Sequence, residues 1–215
     1  MPQETLSEQI LRENSAVFEA MVNHRFVEDI VHGRLSNAVF ERYLVYEGAF
    51  VETAISIFAL ATAKARTIDQ KRWLIAVLDA LANQQIAYFE RIFAERGIDP
   101  GTYDVDRPEV EAFRQGMLEI AQEGGFLDIA AAMFAAEWMY WTWSKRAARA
   151  NFADLHLKEW VEMHADDEFA AQATWLRQQL DDAGVGLDAS ERHRLSAIFG
   201  RAQHLEIAFH DAAYG

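Results

Sequence analysis

Apolar residues recur along this chain at spacings of three and four, and no segment alternates with a period of two over a useful length. That pattern predicts helices throughout. Punctuation cuts them into long blocks. The first runs from about Thr5 to His32, stops at Gly33, and is open to a break near Asn23. Ser36 and Asn37 are suited to cap a second block reaching about Ala65, and Thr67 a third ending at Gly97. The stretch GIDPGTYDVDRP is the clearest loop, and Pro108 fits the first turn of a fourth helix ending at Gly124-Gly125. A fifth helix is predicted from about Leu127 to Ala150, and a sixth from about Leu155 to Asp182. The last follows VGLDAS and runs to about Ala213. Long helices with short connections and no linker-like loop predict an all-α, single-domain helical bundle over residues 1–215.

Composition narrows the function classes. Apolar residues make up 51% of the 215, with only 11 Gly and 3 Pro, so the chain has ample core and is not disordered. The formal net charge of −14 repels phosphate backbones and anionic bilayers, so neither nucleic acid nor membrane is an expected partner. There are no cysteines, which excludes disulfides, thiolate metal sites and a Cys nucleophile. The opening MPQETLSEQILREN lacks the basic and apolar regions of a signal peptide, and no uncharged apolar run reaches 18 residues. A cytoplasmic location is the expectation.

Candidate chemistry comes from ionisable residues on apolar helix faces. Glu47 falls within the stripe Phe40, Tyr43, Leu44, Phe50, Val51, Ala54 and Phe58. Glu137 falls within Ala130, Met133, Phe134, Trp138 and Trp141, with Tyr140 one helical step away. In the sixth helix, the stripe of Leu157, Trp160, Val161, Ala171 and Trp175 predicts that His164 and Glu168 face inward. In the last, Leu195, Ile198, Phe199, Ala202 and Phe209 surround Glu206. One such residue is ordinary, because helices have boundaries and long side chains snorkel. Four helices each placing a carboxylate or imidazole on the core side predict one polar pocket, walled by Trp138, Trp141, Phe50, Tyr140 and Phe209. Such a pocket serves as an acid/base site or a metal site.

The remaining features are weaker. His24, His32, His156, His193, His204 and His210 read as surface or boundary residues. The clusters Asp166-Asp167-Glu168 and Asp181-Asp182 read as mostly solvated faces. There is no GxGxxG, P-loop, HExxH or GxSxG phrase. A metal-dependent oxygenase on the same scaffold is one alternative, with Glu137, His164, Glu168 and Glu206 as ligand types. Where the usual phrase needs a second histidine, however, this chain has Ala171, and Gln84, Gln85 and Glu90 have no histidine nearby. A non-catalytic binder or regulator is the other alternative, although no helix-turn-helix phrase supports DNA contact.

Three phrases resemble the thiaminase II (TenA) family, which has a haem-oxygenase-like helical fold. They are HRFVEDIVHGRLSNAVFERYLVYEGAFV, FADLHLKEWVEMHADDEF and IFGRAQHLEIAFHDAAY. The resemblance implies that Glu206 is the terminal acid/base glutamate and that Glu47 stands where most members grip an aminopyrimidine with an aspartate. Tyr140 matches a pocket tyrosine and Phe50 an aromatic of the second helix, while His164 and Phe113 replace two further pocket tyrosines. The usual nucleophilic cysteine is missing. MFAAEWMY instead resembles the branch that uses a glutamate one position along, here Glu137.

For that branch the resemblance implies a hydrolase acting on C–N bonds in thiamine salvage. It takes aminomethyl or formylaminomethyl pyrimidine to hydroxymethyl pyrimidine without cofactor or metal. It also implies a small-molecule substrate and a homotetramer or dimer, for which Trp73 and Tyr88 are expected as exposed interface aromatics. The ring is expected to stack on Phe50, Trp138 or Phe209, with Glu47 accepting a forked pair of hydrogen bonds and Glu137 and Glu206 dividing the acid and base roles.

Overall fold

The computed structural model describes residues 4–215, so the first three residues of the N-terminal segment lie outside it. Every regular element among the described residues is helical. In chain order these are α1 (Leu6–Glu13), α2 (Ser15–Val22), α3 (Arg25–Val31), α4 (Asn37–Lys64), α5 (Ile68–Asp79), a π-helical segment (Ala80–Gln85), α6 (Ile86–Arg96), a 3₁₀ turn (Pro100–Thr102), α7 (Pro108–Glu123), α8 (Phe126–Ala147), α9 (Leu155–Ala165), α10 (Asp167–Gly184) and α11 (Ala189–Ala212). The all-α expectation holds.

The helix ends follow local chemistry. Thr5 and Thr67 each make a capping box, with Glu8 and Gln70 respectively closing the reciprocal bond. Ser36 accepts from the Val39 amide at the start of α4, and Asp154 accepts from His156 and Leu157 at the start of α9. Gly97 ends α6 at φ 65°, a left-handed conformation that glycine adopts without steric cost. Pro108 opens α7 as its sequence position predicts.

Three boundaries differ from the hydrophobic pattern. The first block is three helices: the break at Asn23–His24, where His24 Nδ1 accepts from the Phe26 amide, falls where one was allowed for, and a further break at Asn14 is the departure. The third block is interrupted by the π-helical segment. The sixth is broken at Asp166, whose extended backbone (φ −78°, ψ 174°) and side-chain bond to the Phe169 amide start a new helix. That break resets the rotational phase. The buried stripe of α10 is Ala173, Leu176, Leu180 and Gly184, while Ala171 and Glu168 are exposed. Glu168 therefore faces solvent, correcting its expected inward placement. Asp166, Asp167 and Glu168 form the acidic start of a helix, where negative charge is favoured.

The chain divides into two compact units. The first comprises residues up to Leu35 together with Ala130–Ile207, and the second Ser36–Ile129 with Ala208–Gly215. The core of the first contains Leu6, Ile10, Phe26, Phe134, Met139, Trp143, Trp160 and Phe199, all essentially fully buried. Asp181 fastens α1 to α10 there, accepting from the Ser7 amide at 2.7 Å and the Ser7 hydroxyl at 2.9 Å.

The second unit is built around α4, which buries Phe40, Tyr43, Leu44, Val45, Tyr46, Val51, Ile57 and Phe58. Lys64 at its end donates to the carbonyls of Ala121 (2.6 Å), Gln122 (3.1 Å) and Gly124 (2.6 Å), satisfying the orphan acceptors at the end of α7. By length and composition α4 is the one helix among the described residues able to cross a membrane, with a mean hydropathy of 1.5 over its best 18 residues. It nevertheless carries Glu47 and Glu52, and its apolar face is occupied by packing within the unit.

Candidate functional site

In the first unit, Glu137 lies on α8 with its carboxyl among protein atoms, although the residue keeps some accessible surface. Loss of hydration pushes that carboxyl up to about 7, against a smaller opposing effect from a hydrogen bond with the Gln172 side chain of α10. Tyr140, one turn on, packs against His164, with ring centroids 5.2 Å apart. His164 also contacts Trp160 at 4.4 Å and Phe169 at 4.9 Å. Burial holds the imidazole neutral by lowering its pKa to about 4, and its Nδ1 lies 2.7 Å from the Trp160 carbonyl. A neutral ring can hold that bond only by donating Nδ1–H, so the proton sits on Nδ1.

Glu206 is 1% exposed on α11. One turn earlier on the same helix, Gln203 donates to the Ala135 carbonyl of α8 at 2.6 Å. The structure therefore joins α8 and α11 close to the two glutamates that the sequence selects. Trp138 takes a separate position. It packs on Phe134 at 5.4 Å and Trp141 at 5.0 Å, and the Arg177 guanidinium lies 5.3 Å from its ring. Trp141, expected as a pocket wall, carries the Lys145 ammonium 3.3 Å above its ring.

In the second unit three predicted residues come together. Phe113 of α7 lies between Phe50 of α4 and Phe209 near the chain end, with both centroid separations 4.6 Å. Tyr43 and Tyr46 close on Phe209 at 5.9 and 6.4 Å. Phe50, Phe113, Phe209 and Tyr46 line a crevice of about 270 Å³, mouth included, completed by Val105, Val110 and Arg114. Glu47 is half-buried on α4, one residue after Tyr46 and three before Phe50. Its sequence position thus puts a carboxylate in the turn that supplies the crevice.

Several expectations are corrected. His210 is fully buried, 5.3 Å from Tyr43 and 5.9 Å from Phe209, because the helix end on which it sits is covered. His24 is also buried, serving as the cap of α3. Tyr88 is buried and packs on Phe89 at 5.3 Å, while Trp73 is half-buried, so neither is an exposed interface aromatic. Among the described residues no three His, Asp or Glu side chains are grouped to hold a metal ion. With Glu168 in solvent, the ligand set of the oxygenase alternative is not assembled.

Sequence reasoning missed Gln172 and Gln203. Neither is ionisable, and the phase of Gln172 becomes readable only once Asp166 is recognised as an N-cap.

Comparison with known proteins places these features in a family. The chain is 30% identical over 203 residues to an aminopyrimidine aminohydrolase of Halalkalibacterium halodurans, covering 92% of this chain and 90% of the relative. Its fold matches a TenA homologue of Pyrococcus furiosus with a TM-score of 0.88 at 22% identity, over 97% of this chain and all of that one. It also matches a haem-oxygenase-like domain of Shewanella denitrificans with a TM-score of 0.73 at 13% identity, over 96% and 90% of the two chains. The family model described as TENA/THI-4/PQQC matches residues 14–215, and the chain belongs to that family.

Proposed function

We propose that this protein is an aminopyrimidine hydrolase of thiamine salvage. It converts aminomethyl or formylaminomethyl pyrimidine to hydroxymethyl pyrimidine by carboxylate acid/base catalysis. The observation that carries the reading is Glu137. It occupies the position where a cysteine-less chain needs another reactive group, and burial brings its carboxyl to about 7. A carboxyl that gains and loses a proton near neutral pH suits proton transfer. The name of the Halalkalibacterium halodurans relative agrees.

In this reading Glu137 and Glu206 divide two tasks: one activates water or adds to the ring, and the other protonates the departing amine. The C–N bond breaks, water supplies the new hydroxyl group, and the nitrogen leaves as ammonia or formamide. Glu47 accepts two hydrogen bonds from the exocyclic amine and a protonated ring nitrogen, an arrangement that charge strengthens. Phe50, Phe113 and Phe209 offer flat apolar surface to a heteroaromatic ring. Tyr140, His164 and Trp138 complete the binding set. With its proton on Nδ1, His164 presents Nε2 as a hydrogen-bond acceptor, where a tyrosine hydroxyl both donates and accepts.

The protein is further proposed to work in the cytoplasm as a homo-oligomer, a tetramer or dimer. Ile68 and Ile75, 61% and 55% exposed two turns apart on α5, are apolar positions suited to such an interface.

The test is a turnover assay of the purified protein with aminomethyl and formylaminomethyl pyrimidine, beside a thermal-shift panel that includes hydroxymethyl pyrimidine. Release of hydroxymethyl pyrimidine and a raised melting temperature are expected. Neither turnover nor a shift with any of the three pyrimidines would overturn the reading.

A further inference from the structure

We propose that Gln203 holds the attacking water of the hydrolysis. Its side-chain carbonyl accepts one O–H of that water, and then the hydroxyl group that the water becomes in the product. The inference rests on the hydrolase reading above, and it assigns a task to a residue outside the set that the sequence selects.

Three observations carry it, all within the first unit. Gln203 of α11 is 0% exposed, although glutamine is ordinarily a surface residue. Its Nε2 donates to the Ala135 carbonyl of α8 at 2.6 Å. A carbonyl can only accept, so the group facing Ala135 is the NH₂, and that bond fixes which side of the amide carries the oxygen. Finally, Gln203 Oε1 is buried and accepts from no group among the described residues. Leaving a buried acceptor without a donor is costly, so such an oxygen is ordinarily met by water or by a ligand.

The surroundings indicate which molecule it meets. Glu206 stands three residues further along α11 and is 1% exposed. Residues three apart on a helix are neighbours on its surface, with Cβ atoms about 5–6 Å apart. Two oxygen acceptors spaced in this way can both reach one water, each at about 2.8 Å. On α8, Glu137 follows Ala135 by two residues, so the bond that orients Gln203 also ties it to the helix bearing the second glutamate.

In the reaction the water gives one proton to the Glu206 carboxylate as its oxygen bonds to the methylene carbon. The C–N bond breaks, and the departing nitrogen takes its proton from Glu137. The second hydrogen of the water stays on the oxygen as the product hydroxyl, still donated to Gln203 Oε1. An amide suits the position because it does two things at once. Lysine would donate to Ala135 without accepting from water, and an ionised glutamate would accept but repel the Ala135 carbonyl.

The test compares wild type with Gln203→Met by calorimetric titration of two compounds. One is hydroxymethyl pyrimidine, and the other is its analogue with methyl in place of hydroxymethyl. The variant should bind the first about 10-fold more weakly and the second within about 2-fold of wild type, as loss of one hydrogen bond to a hydroxyl predicts. With aminomethyl pyrimidine, kcat should fall at least about 10-fold with KM changed less than about 3-fold, because the water and not the substrate loses its partner. A purely structural residue would move both affinities together. Equal losses for the two compounds, or no loss for either, overturn the role of Gln203.

If Gln203→Met does not fold, a crystal structure of wild type with hydroxymethyl pyrimidine decides. The hydroxyl oxygen is expected within about 3 Å of Gln203 Oε1, and a separation beyond about 3.5 Å overturns the inference. A wild type that binds neither compound overturns the hydrolase reading itself. That result is distinct from a wild type that binds both while the variant fails to discriminate between them.

Discussion

The Nδ1 of His164 lies 2.7 Å from the carbonyl oxygen of Trp160, one helical turn earlier in α9, and the two rings meet at 4.4 Å. Burial lowers the imidazole pKa to about 4 against the smaller opposing effect of this bond, so the ring is neutral. Glu137, in the same unit, is moved in the opposite direction, to about 7. The two shifts have opposite consequences for stability. Below about 6.5 the unfolded His164 takes a proton that the folded one refuses until about 4, so its contribution makes stability rise with pH across that window. Above 4.5 the unfolded Glu137 releases a proton that the folded one keeps until about 7, so its contribution makes stability fall with rising pH. Between about 4.5 and 6.5 they oppose each other. Glu137→Gln should leave stability rising with pH there, and His164→Asn should leave it falling. At about 1.4 kcal/mol per pH unit, the Glu137 effect has an upper bound of about 3 kcal/mol. Urea unfolding of the three proteins at pH 4.5, 5.5 and 6.5 checks both slopes. Parallel pH dependences would exclude the assignment.

Glu206→Gln should separate catalysis from folding. The side chain is 1% exposed, and glutamine preserves its volume and hydrogen-bonding reach. Loss of one general acid/base group typically costs about 10²–10⁴-fold. We expect kcat for aminomethyl pyrimidine to fall in that range while the far-UV circular dichroism is unchanged. Undiminished turnover in a folded Glu206→Gln protein would remove Glu206 from the mechanism.

Much of the helical fold was legible because it depends on short-range signals. Ser36, Thr67, Gly97 and Pro108 each act within one turn of themselves, and α4 and α7 begin and end close to where these residues predict. The inward phase of Glu206 was legible for a related reason. It lies deep within a continuous helix, where a period of 3.6 accumulates little error. The phase of α10 was not, because a single N-cap at Asp166 replaces one long helix by two and rotates Glu168 into solvent. An aspartate followed by two acidic residues reads equally well as a solvated surface or as a helix start, and only the backbone distinguishes them. The burial of His210 was hidden differently. It depends on Tyr43, which is 167 residues away in the chain.

The aromatic stack in the second unit should divide stability from binding. Phe113 and Phe209 are 3% and 2% exposed, whereas Phe50 is half-buried. Truncating a buried phenylalanine to alanine typically costs about 3–5 kcal/mol. Phe113→Ala and Phe209→Ala should therefore lower the urea midpoint strongly. Phe50→Ala should cost about half as much or less, since less of its surface leaves water on folding. If Phe50 stacks on the pyrimidine, the same variant should raise KM several-fold with a smaller change in kcat. Calorimetric titration of hydroxymethyl pyrimidine into the variant checks this, and wild-type affinity would remove Phe50 from the binding set.

Two glycines in one connection should respond to alanine in opposite directions. Gly184 closes α10, where alanine is ordinarily favoured over glycine by about 1 kcal/mol. A Cβ there, however, would stand 2.7 Å from the Cβ of Leu6, itself fully buried on α1. That neighbour is tied to its own backbone and cannot rotate away, so α1 or α10 must shift. Overpacking of this kind costs about 1–3 kcal/mol, which outweighs the helical gain. Two residues later, Gly186 has nothing nearer to an added Cβ than the Ala183 carbonyl at 3.9 Å, and its φ is not positive. There alanine should stabilise by about 0.4–1 kcal/mol through reduced freedom of the unfolded chain. Thermal melts of Gly184→Ala and Gly186→Ala should therefore fall on either side of wild type. A Gly184→Ala protein as stable as wild type would mean that α1 does not press on α10 at Leu6.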